Sequence, residues 1–280
     1  MISIIICSRK NTIPDELSLN IQETIGFEYE LIIIDNSESK YSIFEAYNLG
    51  IKKSIGKYLC FTHDDILFHT KGWGTVIANI FTTNKDYGLI GIAGSSQKTK
   101  TPSGWWDCDD KYKSMNIIQH YPDGNVVKEN YGFENSILNE VVVIDGVFLA
   151  LRKELNILFD QKLTGFHNYD FNIAIETRKK GYKIGITSQI LIEHFSIGNL
   201  NEKWLQSIIT AHKYYRKYLP MSTSNIIDGN AEAYSSKRLI NYFLVIGGNK
   251  KTVLEFCLKL FLMEPFNKSI VDLLKKTFKT

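Results

Sequence analysis

The sequence predicts an α/β protein: a mostly parallel central sheet flanked by helices, with a helical appendage at its C-terminal end. Three observations predict it. Apolar, β-branched runs alternate with helix-spaced segments as far as residue 62, the third run passes directly into His63-Asp64-Asp65, and helical periodicity takes over from Leu200 onward. Strands covered on both faces read as continuous hydrophobic runs, and sheets of this kind bind ligands at the carboxyl ends of their strands.

The elements follow in order. Ile2 to Ile6 is an uninterrupted apolar run and reads as the first strand. Pro14, Asp15 and Glu16 open a helix carrying Leu17 and Ile21, with Ile25 just before a stop at Gly26; an early proline, acids in the first turn and a terminal glycine are the expected start and stop chemistry. Glu30 to Asp35 is the second strand. From Ser42 a second helix runs through Ile43, Phe44, Tyr47, Ile51 and Ile55 to Gly56, and Lys57 to Thr62 is the third strand. The unit is βαβαβ, a nucleotide-binding half-fold with right-handed crossovers.

The strand ends carry the chemistry. Two adjacent carboxylates after a buried strand repel each other unless a cation joins them, and a hard divalent ion carrying substrate phosphates takes only one or two protein carboxylates. The alternative is a solvated acid pair capping the next helix. Cys7-Ser8-Arg9-Lys10-Asn11 follows the first strand without Gly-x-Gly-x-x-Gly or Gly-x-x-x-x-Gly-Lys-Ser/Thr, which argues against a dinucleotide oxidoreductase and a P-loop enzyme. Asp35-Asn36-Ser37 ends the second strand with groups suited to a base or ribose, although such residues also serve turns.

Taken together these residues resemble the GT-A glycosyltransferases, in particular the family 2 group of inverting bacterial enzymes. The resemblance rests on the opening strand, Asp35, the Ala46-x-Asn48-x-Gly50 helix and the acidic motif after Gly56-Lys57-Tyr58. It continues through Val143-Ile144-Asp145-Gly146-Val147-Phe148-Leu149 and Gly165-Phe166-His167-Asn168-Tyr169-Asp170-Phe171, then Arg178 and Gly181-Tyr182-Lys183-Ile184. It implies residues 1–199 as the catalytic domain, with a nucleotide-binding half over 1–94 and an acceptor half over 95–199, and residues 200–280 as a helical region.

Roles follow from the resemblance. It puts Asp65 and His194, the residue after an apolar strand expected over Gln189–Glu193, on a Mn2+ or Mg2+ ion, and Ser8, Arg9, Asp35, Asn48, His63 and Asp64 on the donor. Asp145, Gly146, Trp105 and His167 form the sugar and acceptor pocket, and Asp170 is the general base. His63 stands where the family's motif has its first acid, so Asp64 is an alternative for the ribose or sugar contact. Each also has a structural reading: His194 as a core histidine at the sheet edge, Asp170 as a helix-start acid near Asn168, His167 as a packing residue.

Composition agrees with an enzyme. The chain has 280 residues, 44% hydrophobic content and a net charge of +3, enough to bury a sizeable core and without the dense basic stripe of a nucleic-acid binder. Cys7, Cys60, Cys108 and Cys257 form no Cys-x-x-Cys, so neither a zinc site nor a disulfide framework is implied, and a reducing cytoplasm is expected. Ile2–Ile6 is needed as a strand rather than a leader, and no apolar stretch approaches the roughly 20 residues that cross a bilayer.

Residues 95–139 are polar and hold Trp105-Trp106-Asp107; in this position glycosyltransferases carry acceptor loops, where tryptophan stacks on sugar, while one of the two is equally suited to anchoring a core. Beyond Leu200, Trp204, Ile208, Ile209, His212 and Tyr215 share a helical face. Leu239–Val245 and Val253–Leu262 follow, broken by Gly247-Gly248. After Pro265 comes an amphipathic piece with Ile270, Leu273, Leu274 and Phe278 against Lys275, Lys276 and Lys279. Such helices cover the enzyme, pair two copies, or rest on anionic lipid beside a lipid-linked acceptor. The reading is a cytoplasmic, metal-dependent inverting transferase that adds one sugar from a UDP-linked donor to a bacterial surface glycan, peripheral to the membrane if the tail binds lipid. The alternatives are a sugar-1-phosphate nucleotidyltransferase and a non-catalytic nucleotide- or glycan-binding subunit.

Overall fold

A computed structural model describes residues 1–224, 226–247, 250–265 and 275. The N-terminal unit forms as the sequence dictates: β1 (Ile2–Ser8), α1 (Asp15–Thr24), β2 (Tyr29–Asp35), α2 (Ile43–Lys53) and β3 (Tyr58–Thr62). Helix α2 opens on a capping box, in which the Ser42 hydroxyl accepts from the Glu45 N–H and the Glu45 carboxylate accepts from the Ser42 N–H. Gly50 lets this helix lie directly on β1, since a Cβ there would stand 2.3 Å from Ile5 Cγ2. The helix ends earlier than its apolar spacing suggested. Ser54 caps it in an extended conformation and Ile55 is left 73% exposed, because the chain must turn to pair Lys57 N–H with the Met1 carbonyl.

The chain continues through β4 (Ile66–Phe68), α3 (Trp73–Thr83), β5 (Tyr87–Gly91), β6 (Ala93–Ser95), β7 (Gln97–Lys98), β8 (Lys113–His120) and β9 (Val126–Tyr131). It then forms β10 (Leu138–Val141), β11 (Val143–Ile144), β12 (Phe148–Arg152), α4 (Tyr169–Lys179), β13 (Lys183–Thr187) and β14 (Ile192–His194). The main sheet has the order β10-β13-β5-β12-β3-β1-β2. β1 is parallel to β2 and β3, β13 is parallel to β5, and β12 and β10 run against their neighbours. Strands from the 1–94 and 95–199 stretches therefore share one sheet. Along β1, Ile5 packs in the core cluster with Phe61 and Leu149, whereas Ile2, Ile4 and Ile6 pack in the other with Cys60 and Phe148. That alternation is why the run had to be apolar throughout.

A second sheet, β11-β6-β8-β14-β4 with β9 beside β8, lies next to the first. It corrects two expectations. Much of the polar 95–139 stretch is not loop but strand, because its buried polar residues are satisfied: Asn116 donates to the carbonyls of Ser188 and Ile190. The strand expected over Gln189–Glu193 runs instead from Ile192 and includes His194, since its pairing with β4 and β8 begins only there. The Val143–Leu149 run supplies strands to both sheets, switching at Asp145 and Gly146.

The remaining elements are α5 (Glu202–Tyr214), β15 (Met221–Ser222), α6 (Ala231–Ile246) and α7 (Lys250–Met263). Trp204, Ile208, Ile240, Phe243 and Cys257 form their core, with Trp106 stacked on Trp204 at 6.1 Å. Gly248 and the amphipathic piece after Pro265, Lys275 apart, lie outside the described residues. No described helix is long and apolar enough to cross a membrane.

Candidate active site

The strands converge at one edge. Ser8 pairs with Asp35 in register, and Ile6 with Thr62, so β1, β2 and β3 end together. Phe148 pairs with Thr62 from the opposite direction, which brings the Asp145–Val147 turn to the same edge; the His63 N–H donates to the Val147 carbonyl.

His63, Asp65 and His194 meet there and form a group able to hold one metal ion. His63 Nδ1 lies 3.4 Å from His194 Nε2 and 3.7 Å from Asp65 Oδ1, and His194 Nε2 lies 3.5 Å from the same oxygen. Ligand bonds of about 2.1 Å at adjacent positions of an octahedral ion would leave donors ~3.0 Å apart, so the set would close on a divalent cation by roughly half an ångström. The orientation of His194 is fixed from behind. Gln119 donates through Nε2 to the carbonyls of His120, His194 and Ser196, which turns its Oε1 toward His194 Nδ1 at 3.1 Å. Nδ1 therefore carries the hydrogen and the Nε2 lone pair faces Asp65, the arrangement of a ligating histidine with its outer partner. His63 is held on its far side by the Tyr169 hydroxyl, 2.7 Å from Nε2, so the residue expected on the donor joins the cation set.

The charges agree. Burial pushes the Asp65 carboxyl up, but the neighbouring His194, the Ser196 side chain and the nearby His63 outweigh it and hold Asp65 below the ordinary range. Burial, with His194 adding, depresses the pKa of His63; both shifts keep the ligand forms, carboxylate and neutral imidazole, in place.

Around the triad, Asp64 accepts a 2.7 Å bond from the buried Ser8 hydroxyl, Arg9 is exposed, and Asp35 is exposed with its carboxylate accepting from the Ser37 N–H. Asn48 departs from the donor-binding expectation. Its amide donates to the Phe159 carbonyl and accepts from the Phe159 N–H, so it pins the chain before α4 instead of facing the edge. Asp145 is held rigidly, with Oδ2 accepting from Trp105 Nε1 at 2.6 Å and Oδ1 from the Val147 N–H at 2.8 Å. Of the two tryptophans, Trp106 anchors the core formed with Trp204, whereas Trp105 is bonded to Asp145. Gly146 is required by Tyr169, whose hydroxyl would stand 2.3 Å from a Cβ.

Helix α4 points its first turn at this edge. Asp170 lies there, half-buried, its Oδ1 accepting from the Phe171 N–H. Burial pushes its carboxyl up to about 7, Asp145 adds to the rise, and the Phe171 N–H and Lys98 oppose it. His167 is half-buried at the loop before α4, its pKa lowered by burial.

Sequence reasoning missed Tyr169, Gln119 and Lys98. Tyr169 stood inside the quoted segment, but nothing in its type pointed to His63. Lys98 is buried, with its ammonium donating to the Ser103 carbonyl, to Ser103 Oγ at 3.0 Å and to the Gly104 carbonyl at 3.1 Å.

The fold is an α/β fold of the GT-A type. Among solved structures, that of GalNAc-T7 with UDP, GalNAc and Mn2+ is similar at 11% identity, covering 93% of this chain with a TM-score of 0.51; the chain spans 54% of the length of that one. A Staphylococcus aureus TarS structure covering its residues 1–349 is similar at 11% identity over 88% of this chain and 72% of its own, with a TM-score of 0.50. At such identities the likeness is one of fold. No curated protein matches the chain. The family model described as a glycosyltransferase-like family matches residues 3–218, and the chain belongs to that family.

Proposed function

We propose that this chain is a metal-dependent inverting glycosyltransferase that moves one sugar from a UDP-linked donor to a glycan acceptor in bacterial surface polysaccharide or lipooligosaccharide synthesis. The observation that carries the reading is the pairing, at one sheet edge, of a His63–Asp65–His194 cation set with a carboxylate at Asp170 poised near neutrality. GalNAc-T7, solved with UDP and Mn2+, supports the donor and ion by analogy of fold.

Asp35 and the Ser8–Asp64 pair offer hydrogen-bonding groups to the ribose and base, and exposed Arg9 offers positive charge to the diphosphate. A Mn2+ or Mg2+ ion on His63, Asp65 and His194 would neutralise charge on the departing diphosphate. Asp145, locked by Trp105 and Val147, presents a fixed carboxylate toward the transferred sugar, and Gly146 keeps that wall low. Asp170 takes the proton from the acceptor hydroxyl as its oxygen bonds to the anomeric carbon; the bond from that carbon to the phosphate oxygen breaks, with its electron pair leaving on UDP. A single displacement of this kind inverts the anomeric centre. A base with pKa near the working pH is the efficient choice.

The test is a panel of nucleotide sugars with Mn2+, scored for UDP release and for the anomeric configuration of product by NMR. UDP release with an inverted product is expected. Retention of configuration would overturn the mechanism, and diphosphate release from a nucleoside triphosphate would replace it with nucleotidyl transfer.

A further inference from the structure

We propose that the cleft between α5 and the loop preceding α4 is a subsite for a second sugar ring of the acceptor, next to the ring whose hydroxyl Asp170 activates. This rests on the glycan-acceptor reading above. The cleft encloses about 460 Å³, within the range of small-ligand sites. One wall is the outer face of α5, where Glu202, Gln206 and Thr210 recur at intervals of one helical turn and are exposed, while Trp204, Leu205 and Ile208 on the other face are buried. The facing wall carries Lys162, Thr164 and His167, over a floor of Leu163 and Ala211.

The position of the cleft ties it to the reaction. Asn168, at its inner end, donates through Nδ2 to Ser207 Oγ at 2.8 Å, joining the two walls. The same Asn168 precedes α4 with a φ of 63°, and that turn delivers Tyr169 to His63 and Asp170 to the site. His167 and Asn168, which line the cleft, lie three and two residues before Asp170 on the chain, so the cleft borders the loop that delivers Asp170.

Its chemistry selects the ligand class. Amide, hydroxyl, carboxylate and ammonium groups at both walls match the paired donors and acceptors of a polyol, and a small apolar floor suits the C–H face of a pyranose. Among the described residues no Phe, Tyr or Trp lines it to stack a base, and a lipid tail would have to desolvate Lys162, Glu202 and Lys203.

The experiment uses the full chain with UDP and Mn2+ on an array of monosaccharides and their short oligosaccharides, with affinities of retained pairs measured by calorimetry. Wild type is expected to bind an oligosaccharide about tenfold more tightly than its terminal monosaccharide. Gln206→Trp and, separately, Thr210→Trp, each an exposed position whose enlargement fills the cleft, should erase that difference while UDP affinity stays at the wild-type value. Oligosaccharide preference unchanged in both variants overturns the subsite, as does an array that retains no oligosaccharide above its monosaccharide while UDP binds. Failure of wild type to bind UDP at all would instead bring down the transferase reading itself.

Discussion

The Lys98 ammonium lies 5.4 Å above the ring of Phe171, the residue that follows Asp170. A buried cation thus stands against the first turn of α4, itself held by the Ser103 and Gly104 carbonyls on the loop that carries Trp105. Burial lowers the pKa of Lys98 to about 8, with Asp107 and Asp170 opposing the shift. The loop is clamped from the other side as well. Asp107 accepts from the Gly104 N–H at 2.7 Å, Arg238 Nε at 3.0 Å and the Tyr242 hydroxyl at 2.9 Å, so α6 helps hold Trp105 against Asp145.

Lys98→Met removes a charge that favours the Asp170 carboxylate and keeps much of the side-chain volume. The rising limb of the transfer rate against pH, expected near 7 in the wild type, should move to higher pH, and the deficit should shrink in alkaline buffer. A pH–rate profile checks it: a limb that stays in place with only a uniform loss of rate would reduce Lys98 to a packing role.

Asp170→Asn should lower single-turnover transfer about 10²–10⁴-fold and abolish the rising limb, leaving UDP affinity intact. Stability gives a second readout. The folded pKa lies above the ordinary carboxylate value, so between about 4 and 7 the folded chain keeps a proton that the unfolded chain has released, and wild-type stability falls as pH rises through that window. The Asn variant should lack this contribution, which chemical denaturation at several pH values would reveal. Transfer within about threefold of wild type would remove Asp170 from the chemistry.

Asp65→Ala should abolish the Mn2+ dependence of UDP binding with the fold retained, because the carboxylate is the one anionic member of the cation set. Calorimetric titration of UDP with and without Mn2+ decides the point, and an unchanged Mn2+ effect would refute the assignment.

Gln119→Leu should weaken cation affinity roughly 10–100-fold, the usual effect of losing an outer partner of a ligating histidine. The loss should be smaller than in Asp65→Ala. Equal Mn2+ affinity in the variant and the wild type would show that His194 needs no partner to hold its orientation.

Much of this was legible in the sequence because it depends on local chemistry. Strand runs, the Ser42 start of α2 and the acids after β3 are set by neighbours in the chain. Partners fixed only by tertiary pairing were not legible. His63 joined the cation set because β14 brings His194 beside it, and Asn48 left the donor set because Phe159, far along the chain, engages both ends of its amide. The hairpin of β8 and β9 was hidden by its polar composition, since the carbonyls that satisfy Asn116 lie in the turn before β14.

His63 follows a strand of the main sheet, whereas His194 ends a strand of the second sheet. Sharing one ion, they would act as a rivet between two layers that the chain also joins wherever it crosses from one sheet to the other, as between β3 and β4, β5 and β6, and β11 and β12. Any sliding of one layer over the other would alter the bite of the ligands, so the rigidity of the sandwich and the grip of this edge on an ion would be a single mechanical property.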